Sequence, residues 1–415
     1  MRMIYILICT LFLINNLYSQ QLATFARLDK KWMLISLEQE KIFEDEYDFI
    51  YSPQFEYFAP PRSLSVIHLP SNKTFRLYIN GRYGFIDING EFLIPPHLDK
   101  VNNFVNEFAI IEEKLGFNYI NKSGQKITDR RFIKAFNFSN NLALVRYNSK
   151  WNYIDTNGTL LFKKGLKEAS SFLNGYARAR SKSGCGVLNL KGEWYIKPIY
   201  KNMGEFSENK LAFLDKNKWG FINIKEDTIA KAIFEKVHDF KDGMAAVCID
   251  DKWGFIDDSG QLIIKCKYTN VRDFKEGVAI LFNQNIYLIV DKSGNTIKIF
   301  FNAEIKDCSN GFLRIRQNEL WGYIKKDGTV AIGSQFNNAE DFSNGFGRVK
   351  KDEKWFFINE NGENQFNRYF DGAYDFTNGY ARVKVGDKWG LINTSGKFII
   401  PAKYRNITKV FDINK

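Results

Sequence analysis

One position recurs every 34 residues along this 415-residue chain, at Tyr83, Phe117, Trp151, Cys185, Trp219, Trp253, Tyr287, Trp321, Trp355 and Trp389. All but Cys185 are aromatic, and no insertion or deletion interrupts the series. A fixed period of this size means one supersecondary unit stacked many times. Trp32 is an earlier member, set 51 residues before Tyr83, so about half a unit is inserted between them. The insertion falls in 51–72, around the loop Ala59-Pro60-Pro61-Arg62.

The columns of the repeat predict its strands. Gly follows the aromatic position in six units (Gly84, Gly186, Gly220, Gly254, Gly322, Gly390), and an aliphatic residue such as Ile222 or Ile392 comes two later. An Asx column follows, as in Asp155, Asn189, Asn223, Asp257 and Asn393, then a Gly column broken by Glu226. Asx before Gly is turn chemistry, because the short side chain bonds nearby backbone and Gly accepts positive φ. The aromatic segment therefore reads as a strand ending in a tight turn. A short apolar return strand follows, as in Phe398–Ile400. A crossover with a Phe column (Phe104, Phe138, Phe172, Phe206, Phe240, Phe274, Phe342, Phe376, with Cys308 standing in) leads to a third, alternating strand such as Tyr380–Lys384.

The ends group these strands. A third-strand copy, Thr24–Leu28, precedes Trp32, and the chain stops just after a return-strand copy, Phe398–Tyr404. The unit is thus an antiparallel meander of third, aromatic and return strands, and about eleven fit. The fold class expected is all-β. Closed propellers usually have about four to eight blades, so an open curved or superhelical array is the expected arrangement. One or two β-propellers are the alternative. The organisation reads as a signal peptide over 1–19, a first repeat with its insertion over 20–82, and ten repeats in register over 83–415.

The pattern resembles the bacterial WG-repeat family, also called KWG repeats. The residues that carry it are Lys218-Trp219-Gly220-Phe221-Ile222, Lys252-Trp253-Gly254-Phe255-Ile256-Asp257 and Lys388-Trp389-Gly390-Leu391-Ile392. The resemblance implies an all-β repeat scaffold and supplies no catalytic residues. Phe117-Asn118, Cys185-Gly186 and Tyr287-Leu288 depart from the motif.

Arg2, the apolar run Met3–Ile14 and Leu17-Tyr18-Ser19 read as an export signal, too short to span a bilayer. A periplasmic or extracellular monomer is expected. Net charge is +12, Arg2 included, which favours acidic partners. After the leader, Cys185, Cys248, Cys266 and Cys308 remain; their irregular placement argues against a disulfide framework.

Catalysis finds little support. His68, His97 and His238 fall at unrelated places, and no Gly-x-Ser-x-Gly, His-Glu-x-x-His or phosphate loop occurs. Neither a cofactor nor a metal is expected, since Asp257-Asp258-Ser259-Gly260 lacks the acidic closure of a calcium loop. Trp32, Trp151, Trp219, Trp253, Trp321, Trp355 and Trp389 are expected as repeat core. In the third strand, small or apolar residues (Ala177, Ala179, Leu313, Ile315, Val349, Ala381, Val383) alternate with Arg178, Arg180, Arg314, Arg316, Arg348, Lys350, Arg382 and Lys384. Arg146 shares the pattern; Ala212, Leu214, Ala246, Cys248, Ile280 and Phe282 interrupt it. If the alternate face points to solvent, stacking draws these cations into a basic ladder. Such a ladder suits an anionic polymer, because Arg grips carboxylate and phosphate in a fork. It would also serve as a plain solvated strand face. The leading reading is a non-enzymatic exported scaffold for acidic polysaccharide, lipopolysaccharide or an envelope partner. A glycan-active enzyme using carboxylates and a protein–protein interaction module are the rivals.

Overall fold

The computed structural model describes residues 22–28, 31–37, 41–45, 49–51, 74–87 and 91–412. The signal peptide, His68, Gly90 and the inserted loop lie outside the described residues, as do the side chain of Trp32 and those of its strand neighbours. Two compact units emerge: one made of 1–113, 119–126 and 376–415, the other of 114–118 and 127–375.

In the larger unit, the segment around Trp253 shows how the repeat is built. Lys236–Val237, Met244–Ile249, Lys252–Asp257 and Leu262–Tyr268 form one antiparallel sheet in that order. The expected three-stranded meander gains a short fourth strand from the crossover, and seven of the eleven sheets among the described residues have four strands. The turns are as the columns predict. Asp257 Oδ1 accepts the backbone N–H groups of Ser259 (2.9 Å) and Gln261 (2.9 Å), and Gly260 sits at φ +82°. Glu226, which breaks the Gly column, still takes φ 69°.

The Gly after the aromatic position answers to the return strand. A Cβ at Gly254 would lie 2.2 Å from the Ile264 carbonyl oxygen, and the pairing shifts register there. Where Asn152 replaces Gly, its side chain bonds Phe162 through both the carbonyl (2.7 Å) and the N–H (3.0 Å), and only isolated bridges remain of that return strand. Leu288 instead goes with near-straight pairing between Ile286–Asp291 and Thr296–Phe301.

The core lies between consecutive repeats. Met244, Ala246 and Phe255 pack with Val271, Phe274, Ala279 and Leu281 of the following repeat. The Trp column is corrected by this arrangement. Trp151, Trp219, Trp253, Trp321, Trp355 and Trp389 are all half-buried. The residue two places later fills the centre: Phe221, Phe255, Ile289 and Tyr323 are 0% exposed. The tryptophan edges the cluster from the flank, whereas the next residue but one points directly into it.

In the smaller unit, Leu22–Leu28 pairs antiparallel with both Asn406–Ile407 and Phe411–Asp412. Ala26 is buried among Leu391, Ile400, Tyr404, Ile407 and Val410. The first and last strands thus share one sheet, which an open array cannot do. The expected open superhelical array is therefore wrong, and the β-propeller alternative holds. Blade number misled, because the usual range describes typical propellers and not a steric limit. Closure covers the terminal sheet faces that an open stack would leave bare, and leaves only short sheet edges.

Candidate functional site

The expected basic ladder is the first place where site and fold collide. In the larger unit the sheet around Phe255 packs on the preceding repeat through Ala245, Val247 and Ile256 and on the following one through Met244, Ala246 and Phe255, so the alternate face of the third strand is interior too. Arg382 is 4% exposed, and the equivalent Ala212, Ala246 and Ile280 are equally buried. Alternation along the strand separates two packed faces, not core from solvent.

Most of these arginines also find an acid. Arg348 Nε bonds Asp375 Oδ1 at 2.7 Å and its Nη1 bonds the Ala373 carbonyl at 3.0 Å, with the guanidinium 4.6 Å over the Trp355 ring. Arg314 is placed alike, its Nε in an ion pair with Asp341 (2.7 Å) and its Nη1 donating to the Ala339 carbonyl (2.6 Å). Arg178 Nε meets Glu205 at 3.1 Å. Of the neighbouring column, Arg180 meets Glu168 at 3.1 Å, Arg316 holds Glu319, and Lys350 holds Glu353 at 2.5 Å. Lys384 is half-buried. Arg146 lies 5.9 Å from the Trp151 ring centre. In the smaller unit, Arg76 bonds the Val101 carbonyl and Arg382 the Ile407 carbonyl (3.2 Å). The structure brings these cations to corresponding places but matches most to acids. The surface strip expected from the sequence is largely neutralised.

The acids form a column that the sequence analysis missed, just before the Phe column: Glu205, Asp239, Asp273, Asp307, Asp341 and Asp375 in six successive repeats. The signal was visible as a run of like residues. Where the third strand lacks arginine, the preceding crossover supplies basic side chains. His238 Nδ1 lies 2.6 Å from Asp273, Lys241 adds a second bond at 2.6 Å, and Arg272 reaches Asp307 at 3.0 Å. Burial alone would raise the Asp273 carboxyl, but the bonds from His238 and Lys241 outweigh it and hold the group below the usual carboxylate range. Asp239 is the exception. No ion pair or hydrogen bond holds its carboxyl among the described residues, and burial, then the charge of Glu205, raises it against the weaker pull of Lys241 and His238.

A second missed column lies on the outer return segment. Lys163, Lys197, Lys231 and Lys265 each stand twelve residues after the aromatic position, in four successive repeats. All four are exposed. None pairs with an acid among the described residues, in contrast to Lys210 on Asp258 at 2.6 Å. Cys185, Cys248 and Cys308 are buried free thiols and Cys266 is half-buried. Glu235, Cys248 and Asp251 bring donor atoms within 4.8 Å of one another. Lys218 and Lys236 already hold the two carboxylates (3.2 and 3.0 Å), and burial raises the thiol.

Fold and site together define a repeat β-propeller scaffold whose internal charges are mostly paired. The chain belongs to the WG containing repeat family, whose model matches residues 83–114, 119–151, 153–183, 186–219, 219–253, 253–285, 321–355, 355–389 and 389–411. No curated protein matches it. Among solved structures, a eukaryotic initiation factor is similar at 11% identity, with 95% of this chain and 98% of that one covered and a TM-score of 0.41. Hsv2 of Kluyvelomyces marxianus is similar at 11% identity, over 65% of this chain and 96% of that one, with a TM-score of 0.29. PorZ, a bacterial surface component of the type-IX secretion system of Porphyromonas gingivalis, is similar at 12% identity, over 71% and 50%, with a TM-score of 0.24. Likenesses this remote carry no argument about function. No helix of the described residues is long and apolar enough to cross a membrane.

Proposed function

We propose that this protein is an exported, non-enzymatic scaffold that binds an anionic polymer or acidic envelope surface through Lys163, Lys197, Lys231 and Lys265. The observation that supports this reading is the lysine row itself: four exposed ammonium groups at one repeat position, paired with no acid among the described residues. Most of the arginines first considered for this role are engaged internally, so the exposed row takes their place. Lysines on a sheet edge also discourage edge-to-edge pairing, and binding must be shown beyond that protective role. The test is affinity for heparin and dextran sulfate as salt is varied, with Lys197, Lys231 and Lys265 reversed together to Glu. Neutralising contacts releases counterions, so losing three should flatten the log–log salt slope by about 2 to 3. Equal affinity and equal slope in the variant would refute the reading.

A further inference from the structure

The acid column carries an inference independent of the lysine row. Five of its six members are met by a basic side chain from the preceding repeat. Arg178, Arg314 and Arg348 reach Glu205, Asp341 and Asp375 from the third strand. His238 and Arg272 reach Asp273 and Asp307 from the crossover, eight residues before the strand position. For Asp239 both supplying positions are small: Ala212 on the strand and Gly204 on the crossover. They lie directly beneath it. A Cβ built on Gly204 would stand 2.8 Å from Asp239 Oδ1 and 3.2 Å from Ala212 Cβ.

The sister repeats show what such a place holds. Arg314 and Arg348 each bond the carbonyl two residues before the acid and form an ion pair with the acid itself. The corresponding carbonyl here belongs to Val237. We infer that Ala212, Gly204, Val237 and Asp239 form an arginine site that this repeat leaves without an arginine of its own, and that it accepts the arginine side chain of a partner polypeptide. Guanidinium fits better than ammonium because the slot offers two acceptors at different positions, which a planar fork bridges and a point charge does not. The chain itself agrees: wherever the strand position carries a cation, at 76, 178, 314, 348 and 382, it is Arg and never Lys. Glu205, paired to Arg178, and Asp273, held by His238 and Lys241, flank Asp239, so the charges around it are already matched and its own carboxylate is the one left over. Half-burial leaves Asp239 within reach of solvent.

The test uses the full-length protein and a blocked Gly-Arg-Gly peptide, with Gly-citrulline-Gly as a neutral match and Gly-Lys-Gly as the ammonium control, followed by saturation-transfer NMR. The arginine peptide should bind best. Asp239→Asn should weaken it by about tenfold or more, as expected for a lost charge-assisted bond. Asp307→Asn, whose acid is already held by Arg272, should leave it unchanged. Ala212→Arg should fill the slot from within and abolish binding; the Asp239→Asn result stands alone if that variant fails to fold. Equal binding of arginine and citrulline peptides, binding unaffected by Asp239→Asn, or no binding at all would overturn the slot.

Discussion

The repeats centred on Tyr323 and Phe357 and those centred on Phe221, Phe255 and Ile289 have similar sheets but join to the next repeat in different ways. In the first group Arg314 and Arg348 lie across from Tyr323 and Phe357 and tie to Asp341 and Asp375. In the second, Ala212, Ala246 and Ile280 occupy the same cross-strand place, and the junction is apolar. The acid column runs through both groups regardless. Where the strand gives up its arginine the crossover takes over with His238 or Arg272, and only at Asp239 do both positions fall silent. The difference teaches that one position can lose its cation when another supplies it, and that the array tolerates a single unmatched acid, at Asp239.

The comparison breaks most forcefully if the shared centre is not shared. Phe255→Ala and Phe357→Ala, one from each group, should each cost about 3–5 kcal/mol, since both side chains are fully buried. A denaturant titration in which only one is costly would mean that the two groups do not rest on the same core. Trp253→Ala should cost less, about 1–3 kcal/mol, because half of the ring's surroundings are lost and not all. Equal cost at Trp253 and Phe255 would restore the tryptophan to the centre.

The junctions themselves should separate the groups. Arg348→Ala leaves Asp375 without its cation and uncovers Trp355, for a loss of about 1–3 kcal/mol after allowing for the partly exposed acid. Ala246→Ser, at the corresponding central place, adds only a small hydroxyl and should cost about 1 kcal/mol. Comparable losses at both would show that the arginine contributes no more than packing.

The smallest effects concern pH and run in opposite directions. Asp273 is held below its ordinary range: burial opposes ionisation, but the His238 and Lys241 bonds override it. Its stabilisation is present above the unfolded carboxylate value of about 3.9 and is lost as pH falls through the folded value. Asp239 is raised by burial and by Glu205. Its cost is absent below that unfolded value and grows as pH rises through the folded one. Asp273→Asn should therefore lower the melting temperature at pH 7 and Asp239→Asn should raise it, with both differences shrinking toward pH 3. Melts across that range check the signs, and a shift of the same sign for both acids would undo the pairing scheme.

Much of the fold was legible in the sequence because it depends on local chemistry. Asp257 and Gly260 make the same turn whatever surrounds them, and Gly254 announces close backbone approach by lacking a side chain. What was illegible depends on neighbours. Alternation at Ala177 and Arg178 marks two faces, but only the stacked sheets show that both are covered. Trp253 and Phe255 lie on the same side of one strand, and the packing decides which is central. The lysine and acid columns were readable as runs, but not that Lys231 stands free while Asp239 lacks a partner. Closure was hidden because it joins residues at opposite ends of the sequence.

That closure is the claim on which the fold rests. Ala26 and Ile407 are register partners, and antiparallel partners lie about 4.5–5.5 Å apart at Cα, within reach of a disulfide. Ala26→Cys with Ile407→Cys should form an intramolecular crosslink under mild oxidation, read by mass spectrometry of a proteolytic digest against each single variant. A linked peptide pair in the monomer is the result expected of a chain closed by its own ends. Free thiols at both positions in the folded protein would contradict it and return the array to an open form.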